Sequence, residues 1–181
     1  MKERSDWETS RLDQDRIEEQ SATLVYSQGR SRFEGQRVIY FKDFREQTLL
    51  HQLYIEYKSY LVEGPLEAMD WKLTSQSDTL GRYSIRKAFL YHHEDTVQAW
   101  YAEQIPIPDG PYGYHGLPGL IVRLQDRHRQ IALREVAVKK EKQVPEVPDK
   151  GYRLSRADFE AKLDKLNQRR QRRGQKAIRI R

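Results

Sequence analysis

Between Ala99 and Leu124 the chain packs four of its seven prolines and four of its ten glycines into 26 residues, with charge only at Glu103, Asp109 and Arg123. Few backbone paths accept such a segment. Pro106, Pro108 and Pro111 hold φ near −65°, bias the residues before them toward extended conformations and remove three amide donors from any sheet ladder. Leu117-Pro118-Gly119-Leu120 has the residue order of a type II turn, with proline second and glycine third. A strand that ends near Glu103 must therefore leave its sheet, cross a rim and re-enter at Leu120. A stiff loop of this length either holds side chains for a ligand or closes one end of a curved sheet. The second reading is favoured here, with Trp100, Tyr112, Tyr114 and Leu117 plugging the core.

The flanking segments read as antiparallel strands. "LVYS", "RVIYF", "WKLTSQ", "LIVRLQ" and "IALREVAVKK" are rich in β-branched and aromatic residues and are separated by turn signals. "LLHQLYIEYKSYLV" alternates Leu53, Ile55 and Tyr57 with Tyr54, Glu56 and Lys58, and reads as one strand with one buried face. "GRYSIRKAFLYHHEDTVQAWYAEQ" predicts a hairpin with its loop near His93 to Asp95. No βαβ rhythm appears, so the fold class expected is mainly β: a curved antiparallel meander of six to eight strands, half-barrel-like, with a helix at each end. The divisions expected are an N-terminal helical segment (1–21), an antiparallel β domain (22–140), a proline-bearing spacer (141–152), a C-terminal helix (153–168) and a basic tail (169–181).

The N-terminal helix rests on Ser5-x-x-Glu8, a capping-box pattern, although Trp7, Leu12 and Ile17 fall five apart. The C-terminal helix rests on Ser155-x-x-Asp158 and on Phe159, Leu163 and Leu166 at i, i+4 and i+7.

Charge narrows the partners. The net charge is +6, but residues 169–181 carry seven cations and no acid, leaving 6 − 7 = −1 on the body. A nucleic-acid binder spreads lysine and arginine over a folded face, so the body argues against that class. Arg169, Arg170, Arg172 and Arg173 are the candidates for an anionic contact, in a tail expected to be solvated. There is no cysteine, which excludes disulfides, thiolate metal sites and cysteine nucleophiles. No apolar run approaches the ~20 residues of a membrane helix, and the first residues lack an export signal's apolar core.

Candidate chemistry is sparse. His92-His93-Glu94-Asp95 offers metal-ligand types, yet neighbouring residues on a strand point to opposite faces, so His92 and His93 would not share an ion readily. His115, beside the turn, is better placed but still reads as structural. Asp70, Glu103 and Asp109 are carboxylates near the motif, and Asp109 in "PDGP" is a natural turn former. Without a Gly-x-Ser-x-Gly or His-Glu-x-x-His pattern, no enzyme is expected.

"DWKLTSQSDTLGRYSIRKA" followed by "AWYAEQIPIPDGPYGYHGLPGLI" resembles the GLPGLI family, also called Porph_ging, a group of bacterial envelope proteins of unknown function. The family pattern falls on Trp71, on Gly81, Tyr83, Lys87 and Ala88, on Ala99, Trp100, Tyr101, Ile105 and Pro106, on Gly110 and Pro111, and on Gly116, Leu117, Pro118 and Gly119. The family's usual cysteine is Ile85 here. The resemblance implies an exported, periplasmic or outer-membrane-associated protein. Because family members generally begin with a signal peptide, this chain is expected to be a mature or shortened form. The expectation for function is a non-enzymatic envelope protein without a cofactor, binding a partner protein or an apolar ligand such as a lipid on its curved sheet. The alternatives are an accessory subunit of an outer-membrane complex and a metal-handling accessory protein.

Overall fold

The computed structural model describes residues 2–13, 16–92, 95–127, 129–139 and 144–178, with side chains described from residue 21 onward except at 92, 138 and 139. Among the described residues are twelve strands: β1 (Lys2–Asp13), β2 (Arg16–Ser27), β3 (Arg30–Glu34), β4 (Val38–Asp43), β5 (Thr48–Ile55), β6 (Lys58–Pro65), β7 (Lys72–Leu80), β8 (Tyr83–His92), β9 (Asp95–Ala102), β10 (Leu120–Gln125), β11 (Arg129–Lys139) and β12 (Tyr152–Ser155). One helix, α1 (Arg156–Arg172), follows. The strands form a single sheet in the order β12-β6-β5-β4-β3-β2-β1-β11-β10-β9-β8-β7. Every neighbouring pair is antiparallel except β12 and β6. The sheet is open, since its end strands β12 and β7 do not pair. It bends so that β2–β4 and β8–β11 contribute to one core, around Leu24, Phe33, Tyr40, Val97, Leu117, Leu124 and Ile131.

The mainly β class holds, but the sheet has twelve strands where six to eight were expected, and two local expectations fail. Residues 2–13 and 16–27 form the β1–β2 hairpin, with Arg11 paired to Glu18 and Leu12 to Ile17, not an N-terminal helix. Apolar residues five apart give a helix no continuous face to bury, so its local propensity has nothing to anchor it. As strands, the same residues bond to β2 on one side and to β11 on the other. The stretch read as one strand from Leu49 to Val62 is instead the β5–β6 hairpin, reversing at Glu56 and Tyr57, both at positive φ (45° and 66°). That two-residue, doubly left-handed turn is normally announced by asparagine or glycine, and neither is present.

The segment expected as a spacer is part of the structure. The carbonyl of Glu146 accepts from Arg32 Nη1 on β3 (3.0 Å), and that of Lys150 accepts from Ser59 Oγ on β6 (2.9 Å). Pro145 and Pro148 are buried. The strap thus crosses the outer face, where register places Arg32 beside Phe41 and Phe41 beside Leu50, and Phe41, Leu50 and Leu61 form a small buried cluster. The chain then adds β12 at the β6 edge and turns into α1. Ser155 caps the helix as its sequence predicts, accepting from Asp158 N at 3.1 Å. Phe159 packs with Leu53, Ile55, Tyr60 and Val62. Leu53 pairs with Val38, two residues from Tyr40, so α1 lies on the inner face. The helix runs to Arg172, beyond the expected end at 168.

Candidate functional site

The proline-rich crossover is built from three-residue turns. Ile107 N donates to Ile105 O (2.7 Å), Asp109 N to Ile107 O (2.8 Å) and Gly119 N to Leu117 O (2.8 Å), each bond spanning one proline. Proline's fixed φ is close to the value at the centre of an inverse γ-turn, which explains why the sequence alternates Ile-Pro-Ile-Pro. Ile105, Ile107 and Asp109 point inward while Pro106 and Pro108 face solvent. The reversal at Leu117 to Leu120 is real but is not a type II turn: Leu120 N, which could have closed it, donates to Ile105 O at 3.0 Å. Gly119 (φ +154°) is required because a Cβ there would lie 2.3 Å from Ala102 O. Gly110 is equally confined, with Ile121 side-chain atoms 2.8 Å from where its Cβ would be.

A buried ion pair pins the crossover to β4. Lys42 and Asp109 are both 0% exposed and Lys42 Nζ contacts Asp109 Oδ1. The ammonium also donates to Gly110 O (2.9 Å) and Tyr114 O (3.1 Å), so its three protons have three acceptors. Burial lowers the Lys42 pKa, and Asp109 pulls it partly back up. Asp109 Oδ2 and the Oγ of Ser31, Lys42's cross-strand partner, are buried with no hydrogen-bond partner among the described residues. This lysine was not singled out from the sequence, although the signal was there. Val38, Tyr40 and Lys42 share one strand face, and a lysine on an apolar face needs a buried carboxylate.

His115 lies across from Asp109 in an isolated bridge. Its carbonyl accepts from Trp71 Nε1 (2.7 Å), its ring meets Phe44 edge-on, and burial together with the Lys42 charge lowers its pKa to about 4. It is a neutral, packed histidine. Tyr112 (φ +54°) packs on Phe33 and Tyr40 with centroids at 4.8 and 6.1 Å and carries the Arg129 guanidinium 4.1 Å over its ring. Arg129 Nε also donates to Asp126 Oδ2 at 2.8 Å. Burial raises the Tyr114 pKa to about 12. Tyr112, Tyr114 and Leu117 are thus packing groups, as expected, and Trp71 joins them; Trp100, expected to plug the core with them, is instead only partly buried and stands beside Lys87 on the outer face. These contacts consume the charges and leave a rigid joint between β4 and the crossover.

The other motif residues sit elsewhere. Gly81 is in the β7–β8 turn, and Tyr83 takes Arg82 over its ring at 5.1 Å. Tyr101 is buried in the core. Pro111 is buried, and Gly116 and Pro118 are on the exposed side of the crossover. Lys87 and Trp100, by contrast, are cross-strand partners on the outer face of β8–β10. Lys87 Nζ lies 4.8 Å from the Phe89 centroid and 5.5 Å from that of Trp100, and Arg123 Cζ is 5.8 Å from Trp100. Phe89 stacks beside Tyr91, which is 66% exposed. Of the proposed metal cluster, His93, Glu94 and the His92 side chain lie outside the described residues. Among the described residues no group of three or more metal-ligand side chains converges, and no helix is long and apolar enough to cross a membrane.

The architecture is similar to that of PNGF-II in two crystal forms. In the C2 form the TM-score is 0.66 at 11% identity, and in the P21 form 0.70 at 10%. Each likeness covers 88% of this chain and 32% of the PNGF-II chain, so the protein spans about a third of that length. No curated protein matches the sequence. Residues 90–123, from Leu90 on β8 to Arg123 on β10, match the model of Porph_ging, a protein of unknown function, so the likeness falls on this hairpin and its crossover.

Proposed function

We propose that the protein is a non-enzymatic binding module of the bacterial cell envelope, periplasmic or outer-membrane-associated, that takes a partner protein on the outer face of β8–β10. One observation carries this reading: Lys87, Phe89, Tyr91, Trp100 and Arg123 share that face in a partly exposed ribbon. The comparable face over β3–β6 is crossed by the chain's own strap. Tryptophan, tyrosine, phenylalanine and arginine are the types that dominate binding energy at protein interfaces. The inner face, by contrast, is filled by the crossover and α1, which favours a protein partner over an apolar ligand held inside the curve.

With the full chain as bait in envelope extract, the unmodified protein is expected to retain a partner in stoichiometric amount and the F89S/W100A variant to lose it. Native mass spectrometry that instead finds a co-purified lipid and no protein would overturn the reading in favour of a carrier. An accessory subunit of an outer-membrane complex is the second reading, supported by the PNGF-II likeness, in which a fold of this shape is about a third of a longer chain. The metal-handling alternative draws no support from His115, which is buried with its ring edge-on to Phe44.

A further inference from the structure

A second surface lies at the opposite end of the chain's own contacts, where the β5–β6 turn meets the C-terminus of α1. The residues expected to form a solvated tail are held in place as far as Ile178. Gly174 (φ +68°) reverses the chain, with Gly174 N donating to Gln171 O (3.0 Å) and Gln175 N to Arg170 O (2.9 Å), the two bonds of a Schellman cap. The Asn167 side chain then grips Ile178 through both its backbone groups, at 2.7 and 3.0 Å. Ile178 packs against the cluster around Phe159. Arg170 Nη1 donates to Glu56 Oε1 at 3.0 Å, although the two residues are 114 positions apart in sequence. The basic run is therefore fixed against the turn that carries Tyr57.

Tyr57 is fully exposed at a left-handed position, where a residue with a Cβ is disfavoured, and it buries nothing within the fold. Beside it, Arg169, Arg172, Arg173 and Lys176 are exposed and have no acidic partner among the described residues. An aromatic tip next to a cationic cluster matches the demands of a membrane interface, where tyrosine sits at headgroup level and basic side chains meet lipid phosphates. Because the cluster is already folded, docking does not have to order a flexible tail. A nucleic-acid strand needs a longer basic track with aromatics spaced along it. Here the cations are gathered at one end of a body whose remaining charge is 6 − 7 = −1, a distribution suited to a planar surface.

We infer that this end docks on an anionic lipid surface, with Tyr57 at the headgroup level and Arg169, Arg172, Arg173 and Lys176 on the phosphates. The test is co-sedimentation of the full chain with phosphatidylcholine vesicles, with and without phosphatidylglycerol, over a salt series. Binding is expected only with phosphatidylglycerol and should weaken as salt rises. At about fivefold per basic side chain near an anionic surface, R172E/R173E should lower affinity at least about 25-fold. Y57S should lower it severalfold, and F89S/W100A should leave it unchanged. Circular dichroism and the urea midpoint of each variant establish that it is folded. If a variant does not fold, R172Q/R173Q and the salt series of the unmodified chain carry the test. The inference is overturned by absence of binding, equal binding to neutral vesicles, or indifference to R172E/R173E. Tighter retention on single-stranded RNA than on the vesicles at equal salt would overturn it as well.

Discussion

The two wings of the sheet are finished differently. The first, β2–β6 with β12, is enclosed by its own chain: the 144–150 strap crosses its outer face and α1 covers the inner one. The second, β7–β11, buries its inner face in the common core but leaves Lys87, Phe89, Tyr91, Trp100 and Arg123 on an uncrossed outer face. Lys42 and Asp109 join them, one from a strand of the first wing and the other from the crossover that leaves β9. A single meander can thus make one wing self-sufficient and keep the other available, depending only on where the chain's last forty residues are laid.

The largest effect should come from breaking the joint. Asp109→Ala leaves Lys42 buried without its counter-ion and is expected to cost about 3–5 kcal/mol in urea unfolding. A K42M/D109L double variant should recover part of that loss. Full recovery is not expected, because Gly110 O and Tyr114 O would lose their donor. Next comes the inner cover of the first wing. Phe159→Ala should cost about 3 kcal/mol, since the ring is the buried anchor of α1. If α1 were a mere appendage, the urea midpoint would not move.

Acid should loosen both the joint and the first wing. His115 and His51 each have a folded-state pKa lowered to about 4 from 6.5, His115 by burial and the Lys42 charge, His51 by burial against Tyr40 and the Arg156 charge. The unfolded chain therefore binds protons more readily than the folded one. The stabilisation is complete above about pH 6.5 and is lost as pH falls toward 4, reaching about 2 kcal/mol for each histidine by pH 5. Urea midpoints at pH 7 and pH 5, compared among the unmodified chain, H51Q and H115Q, measure each share. A smaller loss, about 1 kcal/mol, is expected from Ser155→Ala, which removes the α1 cap. The smallest should be at the available face: Phe89→Ser is expected to change stability by less than about 1 kcal/mol while abolishing partner retention. A cost of several kcal/mol there would mean that the face belongs to the core, and the contrast between the wings would fail.

Much of this plan is legible from residue order. The β8–β9 and β10–β11 hairpins, the exit from the sheet after Glu103, the re-entry at Leu120 and the Ser155 cap all follow from local chemistry, because each depends on residues a few positions apart. Glu56-Tyr57 escaped because tertiary pairing of β5 with β6 imposes a turn that the local sequence does not favour. The 1–21 segment escaped because its hairpin carries a helix-cap pattern and little apolar alternation, and the strand that holds its other edge, β11, lies more than a hundred residues away. Asp109 looked like an ordinary turn residue, since nothing near it in sequence announces the lysine on β4.

By itself, the sequence determined that this protein is an antiparallel β structure with a rigid proline crossover and a C-terminal helix. Alternation, proline geometry and capping act over a few residues, so they are written locally. Only the tertiary structure decided that Lys42 meets Asp109, that the basic run folds back beside Tyr57 and that the chain's own strap crosses one wing and not the other. Those outcomes depend on which distant faces exclude water together, a choice made by the whole chain at once.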